Sequence, residues 1–350
     1  PMQNLNQTIF SAMCAMLLIG CGATNNLTMS AVEPAPITLS KDVARIGIIN
    51  RSLPSEGNKT ADKIDKILSA EGRNLDREGS VTAILALKGQ LEGNETIEEI
   101  VIIDDLAHLR KGLSVFPSTL TWHEIEDLCE EYNVDAIFSL AFYDTDTKVS
   151  YKATMMDIPN DLGVKVAVPA HELTLNTLVE NGWRVYDPYN NRIADELVFS
   201  DHVVSSGRGI NPIKAYEAII GRKEAVLYQS KSMGINYAQR LLPYKHRVNR
   251  DYFVRGTDNF KIAQRRAQAG DWDGAAVLWQ QETVNPDPKV AGRACYNMAI
   301  SNEINGNLDE AMQWASKSYT DYNNNYALSY LNTLKYRARQ KEVLNQQLSR

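Results

Sequence analysis

The sequence predicts an α+β/α chain: a mixed α/β sheet domain, covered by helices and extended by antiparallel strands, followed by an all-helical domain. Three observations carry this. Compact β-branched runs at residues 43–50, 99–103 and 134–140 alternate with stretches of helical periodicity. After Leu140 the period changes from 3.6 to 2, with turn residues between the runs. In the last hundred residues a Gly-centred pattern occurs twice.

The chain opens on an apolar run, Ile9 to Ile19, closed by Leu18-Ile19-Gly20-Cys21. A branched aliphatic residue, then small or aliphatic residues, then cysteine is the form of a bacterial lipobox. The run is far shorter than the roughly 20 apolar residues that span a bilayer. It therefore predicts a signal peptide over 1–20 and lipidation of Cys21, although no Lys or Arg precedes that cysteine. Residues 21–40 are small and polar with Pro34 and Pro36, and predict a lipid-anchored linker.

With 350 residues and 44% hydrophobic content the chain can bury substantial cores, and the length predicts two or three domains. Of four cysteines, only Cys129 and Cys295 fall in the folded body, both in apolar helical contexts, which predicts buried thiols rather than a disulfide framework. The net charge of -6 hides an asymmetry: residues 21–207 hold 16 Lys and Arg against 30 Asp and Glu, whereas residues 208–255 hold 10 against 3. An export signal argues against nucleic acid as the partner of this basic segment. Complementarity to the acidic domain or to another subunit is the leading expectation, with membrane-surface contact second.

Within residues 41–207 the first strand, 43–50, is followed by two helical stretches, 61–70 and 80–91, then by the strand 99–103. Ser118-Thr119-Leu120-Thr121 leads into a helix over 122–132, which Asn133 ends before the strand 134–140. Alternating stretches at 147–155, 164–179, 183–186 and 193–204 predict antiparallel strands separated by Asp144-Thr145-Asp146, Ile158-Pro159-Asn160-Asp161, Asn181-Gly182 and residues 187–191. Residues 208–255 predict a basic helical connector punctuated by Pro243.

In residues 256–350, Ala269-Gly270-Asp271-Trp272 through Ala275 is echoed by Asn305-Gly306-Asn307-Leu308 through Ala311, an offset of 36 residues. That is close to the ~34 of a tetratricopeptide repeat, with Gly at the turn and small residues where paired helices touch. Tyr296, Asn297, Ser301 and Asn302 would lie on the concave face of such a stack and are the candidate partner-binding residues. Trp272, Trp279 and Trp314 fall at core spacing.

Several chemistries lack their residues. His123-Glu124-Ile125-Glu126-Asp127 has Asp where the zinc-protease helix needs its second His. Gly207-Arg208-Gly209-Ile210-Asn211-Pro212 lacks the third glycine of a dinucleotide loop, and no Gly-Lys-Ser/Thr occurs; a hinge between domains is the expectation there. Asp144 and Asp146 lack the glycine and distal Glu of a calcium loop. His108, His171, His202 and His246 stand apart from one another and from the cysteines. No catalytic residue, cofactor or metal site is predicted.

Taken together, the lipobox, Arg45-Ile46-Gly47-Ile48-Ile49-Asn50-Arg51-Ser52, the 134–140 strand, Gly182-Trp183-Arg184-Val185-Tyr186-Asp187-Pro188, Tyr237-Ala238-Gln239-Arg240 and Gly270-Asp271-Trp272 resemble a family of Bacteroidota lipoproteins of unknown function with C-terminal tetratricopeptide-like helices. The opening strand-helix-strand part is more loosely similar to the curli-secretion lipoprotein family, whose members assemble into rings, although this sequence shows no obvious pair of pore-building hairpins. The resemblance implies an outer-membrane lipoprotein. The absence of acidic residues in Gly22-Ala23-Thr24-Asn25-Asn26 favours a periplasm-facing anchor. The resulting expectation is a non-enzymatic binding or assembly module attached to the membrane by lipid, with a protein partner held by the repeats and a homo-oligomer allowed. The alternatives are an envelope hydrolase using Asp144, Asp146 or Asp187, and an oligomeric secretion accessory.

Overall fold

The computed structural model describes residues 23–52, 63–94, 96–104, 106, 109 and 115–349, with the side chains of its first helix described from residue 74 onward. The predicted signal, Cys14, Cys21 and His108 lie outside the described residues. The chain divides into two compact units: Ala35–Leu242, and Pro243–Ser349 together with the stretch ending at Pro34.

In the first unit the buried strand β2 (Arg45–Asn50) pairs in parallel with β3 (Glu99–Ile103) on one side and β4 (Ala136–Pro159) on the other. Then β4, β5 (Lys165–Asp187) and β6 (Arg192–Gly209) run as an antiparallel meander, giving the order β3-β2-β4-β5-β6. Ile46, Ile48 and Ile49 are wholly buried because this end of the sheet is covered on both faces. One face carries α1 (Lys63–Leu91) and α4 (Arg222–Gln239), whose Tyr237 stacks on Trp183 at 5.1 Å. The other carries α2 (Trp122–Tyr132), which packs against Ile49, Ile137 and Tyr186. Helix α2 begins where predicted, on a capping box between Thr121 and Glu124, and ends at a left-handed Asn133.

Five sequence expectations differ from the structure here. The two helices predicted before residue 91 are one, α1. Asp144-Thr145-Asp146 does not interrupt β4. Asn181-Gly182 is not a turn: Asn181 is buried and accepts from Trp183 Nε1 at 3.1 Å, and Phe142 lies where a Cβ on Gly182 would fall. Gly207-Arg208-Gly209 is not a hinge. It is the end of β6, and its glycines let the backbone of α3 (Pro212–Glu217) approach so closely that a Cβ on Gly207 would sit 2.3 Å from the Ala215 oxygen. Residues 208–255 are also not one connector. α3 and α4 belong to the sheet unit, whereas Tyr244–Phe253 is a strand, β7, of the second unit. Part of the basic excess is paired within each unit: Arg208 pairs with Glu172, Lys223 with Glu78, Arg240 with Asp195 and Arg250 with Glu303.

In the second unit β1 (Thr24–Glu33) occupies the region predicted as a linker and pairs antiparallel with β7 along its whole length, Thr24 opposite Phe253 and Glu33 opposite Tyr244. This ribbon packs on five helices: α5 (Asp258–Gln268), α6 (Trp272–Glu282), α7 (Pro288–Ile304), α8 (Leu308–Thr320) and α9 (Asn325–Leu348). Both turn glycines of the repeated pattern have positive φ, +85° at Gly270 and +78° at Gly306, and Asp271 caps α6 through the Gly274 N–H at 2.8 Å. Small buried residues, Ala263, Ala275, Ala294, Ala299, Ala311 and Ala315, let neighbouring helices come close. Trp279 is fully buried beside Tyr252 and Trp272.

Candidate functional site: a helical unit that holds an extended strand

Helix α7 supplies the inner wall of the second unit, and its face recurs at helical spacing: Tyr296, Asn297, Ile300, Ser301 and Glu303 are all buried. Asn297 is the centre of this wall. Its Oδ1 accepts from the Phe253 N–H at 2.7 Å and its Nδ2 donates to the Phe253 carbonyl at 2.7 Å. One side-chain amide therefore satisfies both backbone groups of a single residue of β7, as the next strand of a sheet would. Tyr296 packs edge-on against the Phe253 ring at 5.2 Å, and the Arg293 guanidinium lies over that ring at 5.2 Å.

Six residues beyond Asn297, Glu303 anchors the middle of the same strand. Its carboxylate receives Arg250 Nη2 and Nε, both at 2.8 Å, Tyr330 Oη at 2.6 Å, and Arg337. Burial raises the pKa of this carboxyl, but the hydrogen bonds from Arg250 and Tyr330 outweigh burial and hold it below the usual range. Glu303 thus remains an anion between two guanidinium groups, and it ties β7 to α7 and α9.

Of the four candidates, Tyr296, Asn297 and Ser301 are buried against the unit's own core and strand, and only Asn302 is partly accessible, its Nδ2 donating to the Met298 carbonyl. An incoming peptide would have to displace β7 to reach Asn297. What stays open is the neighbouring cleft of about 450 Å³, bounded by Asn249 and Asp251 of β7, by Tyr296, and by the α9 stripe Tyr326, Ser329 and Thr333. Tyr326 is 69% exposed. Glu303, Arg250 and the α9 stripe escape sequence reading because their partners lie tens of residues away. The available signal is spacing: Glu303 falls at the seventh position after the apolar Tyr296, on a face that is otherwise core.

Of the carboxylates considered for hydrolysis, Asp187 is not brought to the other two. Asp144 and Asp146 share one face of β4, with Glu180 opposite Asp144. Burial, then the charges of Asp146 and Glu180, raises the Asp144 pKa. Asp187 ends β5, seven residues beyond Glu180 and opposite Arg192 of β6, buried and accepting from Asn190 Nδ2 at 2.8 Å as a turn anchor. Cys129 and Cys295 are free thiols, and burial pushes both up to about 11. Among the described residues no group of three or more His, Cys, Asp or Glu could hold a metal ion, and no helix is long and apolar enough to cross a membrane.

Fold and site define a class: a mixed α/β unit joined to a helical unit whose groove is partly filled by the chain's own strand. The family model described as "Domain of unknown function (DUF8603)" matches residues 43–253, and the chain belongs to that family. A second model, "Domain of unknown function (DUF6340)", matches residues 261–337, within the helices. No curated protein matches the chain. Among solved structures it is similar to the PelC dodecamer from Paraburkholderia phytofirmans, with 9% identity, 62% of this chain and 98% of that chain covered, and a TM-score of 0.25. A single-substitution variant of the same dodecamer gives the same values. A protein described as a neuraminyllactose-binding hemagglutinin homolog from Helicobacter pylori has 10% identity over 57% of this chain and 83% of that one, with a TM-score of 0.26. Likenesses this weak fix neither fold nor role.

Proposed function

We propose that this chain is a non-enzymatic binding and assembly lipoprotein of the cell envelope, attached through Cys21 to the outer membrane and facing the periplasm. Its tetratricopeptide-like helices receive an extended segment of a partner protein. The observation that carries this reading is the open cleft beside β7, lined by the exposed Tyr326, next to a wall on which Asn297 already holds the N–H and C=O of one extended residue. A wall built this way recognises extended backbone, and the open cleft continues it along β7 and α9. Tyrosines with two rotatable side-chain angles supply contact area at low entropic cost, which suits the exposed Tyr326 to this use.

Lipidation at Cys21 would leave three residues before β1 begins at Thr24, a reach of only about 10 Å. The helical unit, which contains β1, would then be tethered directly to the bilayer. Cys21→Ala tests the anchor, since the variant should leave the membrane fraction. The partner reading is tested by capture from the native envelope with the full chain and with Ser329→Arg, which fills the cleft from an exposed helix position. Partners retained by the native chain and lost by the variant support it. Identical capture by both, or capture by neither, overturns it.

A further inference from the structure

The three long strands of the α/β unit leave two unpaired edges. β4 meets β2 only between Ala136 and Leu140, so from Phe142 to Pro159 its outer edge has no strand partner among the described residues. The outer edge of β6 also has no strand partner among the described residues. Edges of this length expose rows of N–H and C=O groups that template pairing with another chain, and proteins ordinarily shorten or cover them.

The charges on the two edges are disposed differently. On β6, Asp195, Glu196 and Arg208 are each paired within the unit, to Arg240, Arg184 and Glu172, and Asp201 accepts from Gln229. On β4, Asp144, Asp146, Lys148 and Lys152 occupy alternate positions and so share one face. This is the face opposite Thr145 and Thr147, which bond Asp76 of α1 and Arg222 of α4. None of the four makes an ion pair with a described residue. Of the two unpaired edges, β4 is thus the one whose charges make no ion pair among the described residues.

We propose that β4 is the site of a two-fold association between copies of this chain, β4 against β4 of the second copy, antiparallel and centred on Val149. Only extended backbone complements such an edge. The strands β4, β5 and β6 alternate in direction, so β4 and β6 run the same way. Head-to-tail addition of β6 to the next copy's β4 with the same sheet face outward would give a parallel ladder, the weaker kind, whereas a two-fold axis gives an antiparallel one. Charge then selects the register. With Val149 on the axis, Asp146 faces Lys152 of the other copy twice over, Lys148 faces Ser150, and residues 142–156 are paired. Moving the axis to Lys148 joins Asp144 to Lys152 twice over but places Lys148 against itself, and moving it to Ser150 places Lys148 against Lys152. Centring on Thr147 also joins Asp146 to Lys148 but shortens the paired stretch to 142–152. Each cross-strand ion pair also relieves the like-charge crowding of Asp144, Asp146 and Glu180. The inference is independent of the cleft reading, because it concerns the other unit.

The test is the concentration-dependent mass of the purified full chain, measured by analytical ultracentrifugation. Native protein is compared with Asp146→Lys, with Lys152→Asp, and with the double variant. The native chain should dimerise, each single variant should weaken association tenfold or more, and the double variant should restore it, because both pairs are recreated with reversed polarity. Circular dichroism shows whether the monomeric variants stay folded. A native chain monomeric at tens of micromolar overturns the proposal. So does association untouched by all three variants, which would place the contact on β6 or elsewhere, and so does loss in the single variants with no rescue in the double.

Discussion

Replacing Asn297 by Ala tests most directly how the helical unit grips its strand. The change removes two hydrogen bonds of 2.7 Å and leaves the N–H and C=O of buried Phe253 without partners. An orphaned buried polar group costs about 1–3 kcal/mol, so the pair should cost roughly 2–6 kcal/mol. Because β7 carries β1 with it, that cost should appear as opening of the whole ribbon. Native-state hydrogen exchange reads this out: the amides of β1 and β7 should lose protection by about two orders of magnitude, while β2 and β4 keep theirs. Asn297→Asp sharpens the test. It keeps the acceptor for the Phe253 N–H but points an anionic oxygen at the Phe253 carbonyl, so it should behave like Ala at neutral pH and recover on acidification, when a protonated carboxyl can donate again. Unchanged protection of the β7 amides in both variants would refute the backbone-reading role of Asn297.

The remaining predictions concern packing and charge. Glu303→Gln leaves Arg250 and Arg337 without their anion, and the helical unit should lose about 3–5 kcal/mol in urea unfolding, the usual cost of breaking one side of a buried pair. A loss under 1 kcal/mol would mean the cluster is solvated. Burial raises Asp76 from its ordinary 3.8 to about 7, against the hydrogen bond from Thr145. The folded state therefore binds the proton more tightly than the unfolded state, so stability is full below pH ~4 and falls as pH rises through about 7. Three pK units correspond to an upper bound of about 4 kcal/mol. Asp76→Asn should flatten that slope and stabilise the protein at pH 8, and a slope unchanged in the variant contradicts the assignment. Gly234→Ala would drive a Cβ to 2.2 Å from the Ala83 carbonyl where α4 crosses α1, so thermal unfolding should show a loss of at least 1–3 kcal/mol; a neutral outcome means the helices can part there.

Legibility in the sequence followed the range of the interactions. Helix α2 could be placed from its own residues because its cap, its apolar stripe and Asn133 are all local. The turn at Gly270 could be placed for the same reason, since Gly supplies a left-handed backbone wherever it stands. Strand β1 could not. Leu27, Met29 and Ala31 do alternate inward, but the signal is faint in a small polar segment, and its partner β7 lies more than two hundred residues on. Pro243 and the surrounding basic residues then made β7 read as a helical connector, because sequence cannot show that Arg250 is neutralised by Glu303. Asn181-Gly182 is the reverse case: a strong local turn signal is overridden by tertiary packing, with the Phe142 ring lying against the bare glycine and Asn181 held by Trp183. The four candidate residues do fall on one helix, α7, but spacing alone cannot tell whether a concave face is empty or already filled by the chain's own backbone.

The cleft is the central claim, and a photo-crosslinking amino acid tests it in the living cell. It should be placed at Tyr326, which lines the cleft and is 69% exposed, and separately at Val277, 60% exposed on α6 and outside the cleft. The account predicts a discrete crosslinked partner from position 326, mapped by mass spectrometry to an extended segment, and none from position 277. No adduct at 326, or the same adducts from both positions, would contradict it.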